Sequence, residues 1–226
     1  MLLLLVPKPY LMPVRFQHDR QPKSIYFVTF TCYKWLSLFP ETNTYDAVYK
    51  CPPVPVRTGF DSLYRNNNYV TGYVIMPNHV HALLYFPEMP KSLNTVIGNA
   101  KRFLAYEIIK RLEKKKAIVL LDILHAGVKK RERKKGQIHK VFEDSFDAKE
   151  CHSTEFILQK LEYIHRNPVS KKWQLVNDFA DYEYSSAPFY EKGIKKYKNL
   201  LHINDALNNL IPGSPLTQSP TVKTPG

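Results

Sequence analysis

His79 and His81 stand two residues apart in Met76-Pro77-Asn78-His79-Val80-His81, and Tyr163 stands four residues before Asn167 in Tyr163-Ile164-His165-Arg166-Asn167-Pro168. On a strand, residues two apart share a face, so both imidazoles would point one way and Val80 into the core. Two imidazoles on one face can hold a divalent ion between them, but a third ligand must then come from elsewhere. On a helix, residues four apart share a face, which groups Tyr163 with Asn167. An asparagine carbonyl is a hard oxygen ligand. A phenol beside a metal-polarised phosphodiester can attack phosphorus and keep the bond energy in a phosphotyrosine. His-x-His alone describes two core or surface histidines equally well, and Tyr163 is one of 15 tyrosines. His165 falls on a different face from Tyr163 and reads as a supporting or nucleic-acid-contacting residue rather than a ligand.

These side chains need a strand and a helix to hold them. Tyr69 to Met76 and His79 to Phe86 read as two strands joined tightly through Pro77-Asn78, hence a hairpin. Lys23 to Lys34 reads as an earlier strand, with aromatic and β-branched residues on both alternating sets. Thr44 to Lys50 suits a short helix that ends before the prolines of Cys51-Pro52-Pro53-Val54-Pro55. Ser92 to about Lys116 has apolar residues at helical spacing. The segment 129–136 reads as a loop or flexible arm. Ser153 should cap a helix with Ile157, Leu158, Leu161 and Ile164 on its buried face, ending near Asn167 because Pro168 restricts the residue before it. Residues 1–22 read as an irregular leader, 23–190 as one domain, and 191–226 as an extension that is disordered from about residue 204.

With 226 residues and 44% hydrophobic content, the chain can build one core. Its net charge is +13, and between Lys101 and Lys140 there are 14 basic against 4 acidic residues. So concentrated a positive field favours a polyanion, nucleic acid first. Lys101, Arg102, Lys110 and Arg111 on one helix, and Lys129, Lys130, Arg131, Arg133, Lys134 and Lys135 beyond it, are the candidate phosphate contacts. Cys32, Cys51 and Cys151 form no zinc spacing, and their odd number argues for a reducing, cytoplasmic setting. Met1 to Val6 is too short for a signal peptide or a membrane span. Neither a membrane partner nor a nucleotide cofactor is expected.

Four segments, in order, resemble the REP-associated tyrosine transposases, a branch of the IS200/IS605-like single-tyrosine (HUH) transposases. They are Ile25-Tyr26-Phe27-Val28-Thr29-Phe30-Thr31, Gly72 through His81, Tyr163 through Val169, and Tyr182-Glu183-Tyr184-Ser185-Ser186-Ala187. The resemblance covers about residues 22–190. It implies an α+β fold, an antiparallel sheet with helices on one face, similar to ferredoxin-like or RRM-like domains. It implies His79, His81 and Asn167 as ligands of Mg²⁺ or Mn²⁺ and Tyr163 as nucleophile. It implies cleavage of single-stranded DNA near palindromic hairpins through a 5′-phosphotyrosine, by a monomer or a homodimer, with the REP-associated branch leaning to the monomer.

The chain departs from that pattern at the proline-rich insertion of residues 51–60. It also lacks a tryptophan the family carries near residues 140–146, a role left to Phe142 or Phe146. Two other readings stand beside the transposase. One is a domesticated hairpin-binding module that uses the basic surface without chemistry. The other is a metal-dependent nuclease that uses water and would survive loss of the Tyr163 phenol.

Overall fold

The structure, a computed structural model, describes residues 23–49, 59–64, 66–88 and 92–210. The expected leader, most of the 51–60 insertion and the last part of the tail lie outside the described residues. In chain order the elements are β1 (Ser24–Thr31), α1 (Leu38–Thr42), α2 (Tyr45–Tyr49), α3 (Gly59–Tyr64), β2 (Tyr69–Met76), β3 (His79–Phe86), α4 (Leu93–Lys114), α5 (Ile118–Ala126), α6 (Lys130–Arg133), β4 (Asp147–Glu150), α7 (Thr154–Arg166), α8 (Ala187–Lys192) and α9 (Ile203–Leu210). Four strands form one sheet in the order β2-β3-β1-β4, and every neighbouring pair is antiparallel. This is an α+β fold with the strand order of a ferredoxin-like sheet.

Helices cover both faces of the sheet, not one. Tyr26, Val28, Phe30, Val80, Ala82, Leu84 and Phe86 point into a core shared with Leu93, Ile97, Leu104, Ile108 and Leu112 of α4. The alternate residues Ile25, Phe27, Leu83 and Tyr85 point into a second core with Ile157, Leu161 and Ile164 of α7. The reason is in the strands: β2 and β3 carry apolar or aromatic side chains on both alternating sets, and such strands must be covered twice.

The expected hairpin forms between β2 and β3, and β3 also pairs with β1, His79 opposite Thr31 and His81 opposite Thr29. Ser92 Oγ accepts the Thr95 amide at 3.3 Å and starts α4; Ser153 Oγ accepts the Phe156 amide at 3.2 Å and starts α7. β2 would be an open edge, but the segment 184–186 closes it, with Ile75 N–H donating to Tyr184 O at 2.8 Å and Ser186 N–H to Tyr73 O at 2.9 Å. A closed edge denies pairing to other chains. Phe142 meets Phe30 edge-on at 5.4 Å and bridges to Cys32.

Two further expectations are corrected. The tail, expected to be disordered from about residue 204, is helical over Ile203–Leu210 and buries Ile203, Ala206 and Leu207 in the second core. Its Asn-rich composition suggested disorder, yet its apolar residues recur at helical spacing and find a face to cover. Residues 129–136, expected to be a loop, contain the single helical turn α6, preceded by the helix α5.

Gly72 sets how closely α7 approaches the sheet. A Cβ there would lie 2.6 Å from Leu161 Cδ1. Gly72→Ala is expected to push α7 outward and cost about 1–3 kcal/mol, read as a lower urea midpoint with an unchanged slope.

Candidate functional site

The second core brings His79, His81 and Tyr163 together. The two imidazoles lie 4.7 Å apart between centroids, and the Tyr163 ring lies 5.2 Å from that of His81. Phe27 stacks on His81 at 5.4 Å and meets Tyr163 edge-on at 5.9 Å. The histidines are buried, whereas Tyr163 is 49% exposed. The phenol is therefore open to solvent while the imidazoles are held.

A hydrogen bond settles which nitrogen of His79 carries the proton. The Asn78 amide donates from Nδ2 to Trp35 O at 3.0 Å, so its Oδ1 must be the atom 2.7 Å from His79 Nδ1. A carbonyl oxygen only accepts, so the proton sits on Nδ1 and the lone pair on Nε2. His81 Nδ1 pairs with Thr29 Oγ1 at 2.7 Å, which likewise leaves Nε2 for a ligand when Nδ1 carries the proton. Burial, with Lys172 nearby, lowers His79 to about 4. Burial, then His79, then Lys160, lowers His81 well below its ordinary value. Both rings are neutral at pH 7, the state a metal requires.

Among the described residues, no three His, Cys, Asp or Glu side chains gather as a metal-holding group. A third protein ligand would thus have to be of another type. Asn167, one turn beyond Tyr163, is buried, and its Oδ1 has no hydrogen-bond partner. An orphaned buried carbonyl costs stability and calls for a partner. Imidazole nitrogens and an unpartnered amide oxygen are donors of the kinds a divalent ion accepts.

His165, the supporting candidate, is buried and shares a 2.9 Å hydrogen bond between Nε2 and Ser186 Oγ. It ties α7 to the segment that closes β2, and so fixes the helix that carries Tyr163. Burial lowers it to about 4. The unfolded chain takes up this proton near pH 6.5, and the folded chain only near 4. The group's contribution is therefore complete above 6.5 and lost as pH falls toward 4. Metal-free protein is expected to lose about 2 kcal/mol through His165 between pH 7 and pH 5, and His165→Gln to remove that part of the loss in urea titrations.

The basic residues named from sequence are placed unevenly. Lys101 Nζ donates to the carbonyls of Glu143 at 2.7 Å and Ser145 at 3.3 Å, and its burial lowers it to about 8. Arg111 pairs with Asp46 at 2.9 Å and Glu107 at 2.8 Å. Both charges are engaged by the protein, and these two residues hold the fold rather than reach outward. Arg102 lies 4.9 Å from the Phe103 ring, and Lys110 is exposed. All four are on α4, which serves the core opposite the histidine face. Lys129 pairs with Asp144 at 2.7 Å, and Arg133 donates to Val128 O at 3.1 Å and His125 O at 3.2 Å. Lys130, Arg131, Lys134 and Lys135 are exposed.

The cations beside the site are others. Lys160 Nζ lies 5.1 Å from the Phe27 ring and 5.8 Å from that of Tyr163. Lys172 Nζ lies 5.1 Å from the Trp35 ring and 5.5 Å from that of Trp173. Lys160 was findable from sequence, three residues before Tyr163 and so on its face. Lys172 gave no such signal. The Cys32 and Cys151 thiols are raised by burial to about 12 and about 11, so neither is a ready nucleophile. Among the described residues no helix is long and apolar enough to cross a membrane.

No protein-family model matches the chain, and no curated protein matches it. Among solved structures it is similar to that of a REP-associated tyrosine transposase bound to a REP hairpin, at 15% identity and a TM-score of 0.47, over 79% of this chain and 86% of that one. So loose a likeness leaves the chemistry to be argued from the residues themselves.

Proposed function

We propose that this protein binds single-stranded or hairpin DNA and cleaves it near the hairpin through Tyr163. The observation that carries the reading is the unpartnered Asn167 Oδ1, one helical turn from a half-exposed phenol that packs on a neutral histidine pair. His79 Nε2, His81 Nε2 and Asn167 Oδ1 would hold Mg²⁺ or Mn²⁺. Bound there, the ion would supply polarisation of the phosphodiester and neutralisation of charge on its oxygens. Tyr163 Oη attacks phosphorus, and the bond from phosphorus to the 3′ oxygen breaks. The phenol proton passes to water, to which the ring is open, and the departing oxygen takes one up. A 5′-phosphotyrosine remains, from which the strand can be rejoined. Lys160, near the phenol ring and close enough to act on His81, is placed to attract the phosphate. Asn78 keeps His79 in the ligating tautomer, and Thr29 Oγ1 engages Nδ1 of His81.

A second reading, DNA binding without cleavage, is favoured by one observation: the described residues offer no cluster of three His, Cys, Asp or Glu for a metal. Binding needs no such cluster, only the basic surface, and it requires less of the site than the enzymatic reading does. It predicts hairpin affinity that falls steeply with salt and no cleavage.

Hairpin DNA with a single-stranded flank, labelled at its 3′ end so that the label stays on the fragment joined to Tyr163, is incubated with the protein in Mn²⁺ and run on a denaturing protein gel to separate the two. A label that migrates with the protein supports cleavage through Tyr163. Retained binding with intact DNA across a panel of hairpins supports the binding module. Cleaved DNA without labelled protein points to hydrolysis by water.

A further inference from the structure

Trp35 and Trp173 are the chain's 2 tryptophans, and both lie at this site. Their rings are 6.0 Å and 5.6 Å from the His79 ring. Lys172 Nζ lies over the faces of both indoles, 5.1 Å from one centroid and 5.5 Å from the other, a cation that an entering base displaces toward its own phosphate. Trp35 is 45% exposed, although an indole is ordinarily buried for its large apolar area.

The backbone is forced to display it. Lys34 and Trp35 have φ of 51° and 58°, and Gln174, next to Trp173, has φ of 44°. Non-glycine residues adopt such angles at a cost, and surrounding contacts must impose them. Here the Lys34 amide donates to Glu143 Oε1 at 2.9 Å, and Trp35 O accepts from Asn78 Nδ2 at 3.0 Å. The same Asn78 side chain holds His79, so the indole and the ligand are placed by one amide.

We propose that Trp35 and Trp173 form a stacking clamp for one unpaired nucleobase, with Lys172 on the adjoining phosphate. Aromatic faces accept any base, and a lysine beside them supplies the backbone contact. Ring contacts run from Tyr163 to His81, to His79, and then to the two indoles. The clamp therefore lies beyond the histidines from the nucleophile. Attacking and leaving oxygens are roughly in line in phosphoryl transfer. The clamped nucleotide is the one whose 3′ oxygen departs, an assignment that rests on the cleavage reading above, whereas the clamp itself rests only on DNA binding.

Because both tryptophans are at the clamp, intrinsic emission reports on it alone. In EDTA, the protein is titrated with a short oligothymidylate and with an abasic oligomer of equal phosphate number, and binding is followed independently by anisotropy. Both should bind, and only the thymidylate should quench tryptophan emission. Trp35→Ala and Trp173→Ala should each weaken thymidylate binding about tenfold and leave abasic binding unchanged. Lys172→Gln should lower the salt slope by about one for both. Thermal melts of the variants check that they fold. Binding with unchanged emission, or equal quenching by the abasic oligomer, overturns the clamp and leaves DNA binding standing. No binding of either oligomer overturns both. In Mn²⁺ with a cleavable strand, an abasic nucleotide immediately 5′ of the broken bond should slow adduct formation, and one immediately 3′ should not. The reverse, or no adduct at all, overturns the side assignment and leaves the emission result to decide the clamp.

Discussion

Tyr163→Phe is expected to abolish the protein–DNA adduct, a loss of about a thousandfold or more in rate, as removal of a nucleophile generally brings. The substitution deletes one oxygen from a ring that is 49% exposed, so it leaves no buried group unpaired. Its edge contacts with Phe27 and His81 depend on the ring and survive. Stability and hairpin affinity should therefore stay close to those of the unaltered protein. Loss of adduct with binding retained assigns the chemistry to the phenol. Cleavage that persists in the variant, with no adduct in either protein, moves the mechanism to a water nucleophile. Equal adduct in both proteins would remove Tyr163 from the site altogether.

Asn167→Leu is expected to move stability and metal response in opposite directions. The amide oxygen is buried without a partner, and an apolar side chain of similar size removes that penalty, about 1–3 kcal/mol. Metal-free Asn167→Leu should therefore melt higher than the unaltered protein. The unaltered protein should gain stability as Mn²⁺ is added, since a ligand that binds only the folded state stabilises it. The variant should gain little, because a pair of imidazoles is a poor site for a hard ion. Mn²⁺ should act at lower concentration than Mg²⁺, given two nitrogen donors in the set. His81→Ala separates the explanations: it too should lose the Mn²⁺ response, but without the rise in metal-free melting temperature. If Asn167→Leu keeps the full Mn²⁺ shift, the third ligand is another group and the orphaned oxygen is only a cost.

Several features of this site were open to sequence alone because they are local. Two short runs rich in β-branched, aromatic and other apolar residues joined through Pro77-Asn78 made a hairpin, and the two-residue spacing of His79 and His81 put both on one face. Ser92 and Ser153 marked helix starts through hydrogen bonds made three residues on, and Pro168 marked a stop. Spacing of four put Tyr163 and Asn167 on one helical face. None of these inferences needed to know what packs against what.

Non-local packing decided the rest. β4 carries Asp147, Lys149 and Glu150 around the buried Ala148, and its pairing with β1, not an apolar pattern, makes it a strand. α9 is ordered because the second core had room for Ile203, Ala206 and Leu207. Charge density along the chain pointed to residues 101–140, yet Lys101 and Arg111 are held by carbonyls and carboxylates, and the cations beside the histidines are Lys160 and Lys172. Composition counts charges without direction, whereas a site needs them at particular distances. Asn78 read as a turn residue, but only the fold brings Trp35 O to its Nδ2 and thereby determines which nitrogen of His79 carries the proton. The sequence supplied the chemical groups and their local faces. The tertiary structure chose their neighbours, because contacts between distant segments depend on how two sheet faces are covered, which no short-range pattern encodes.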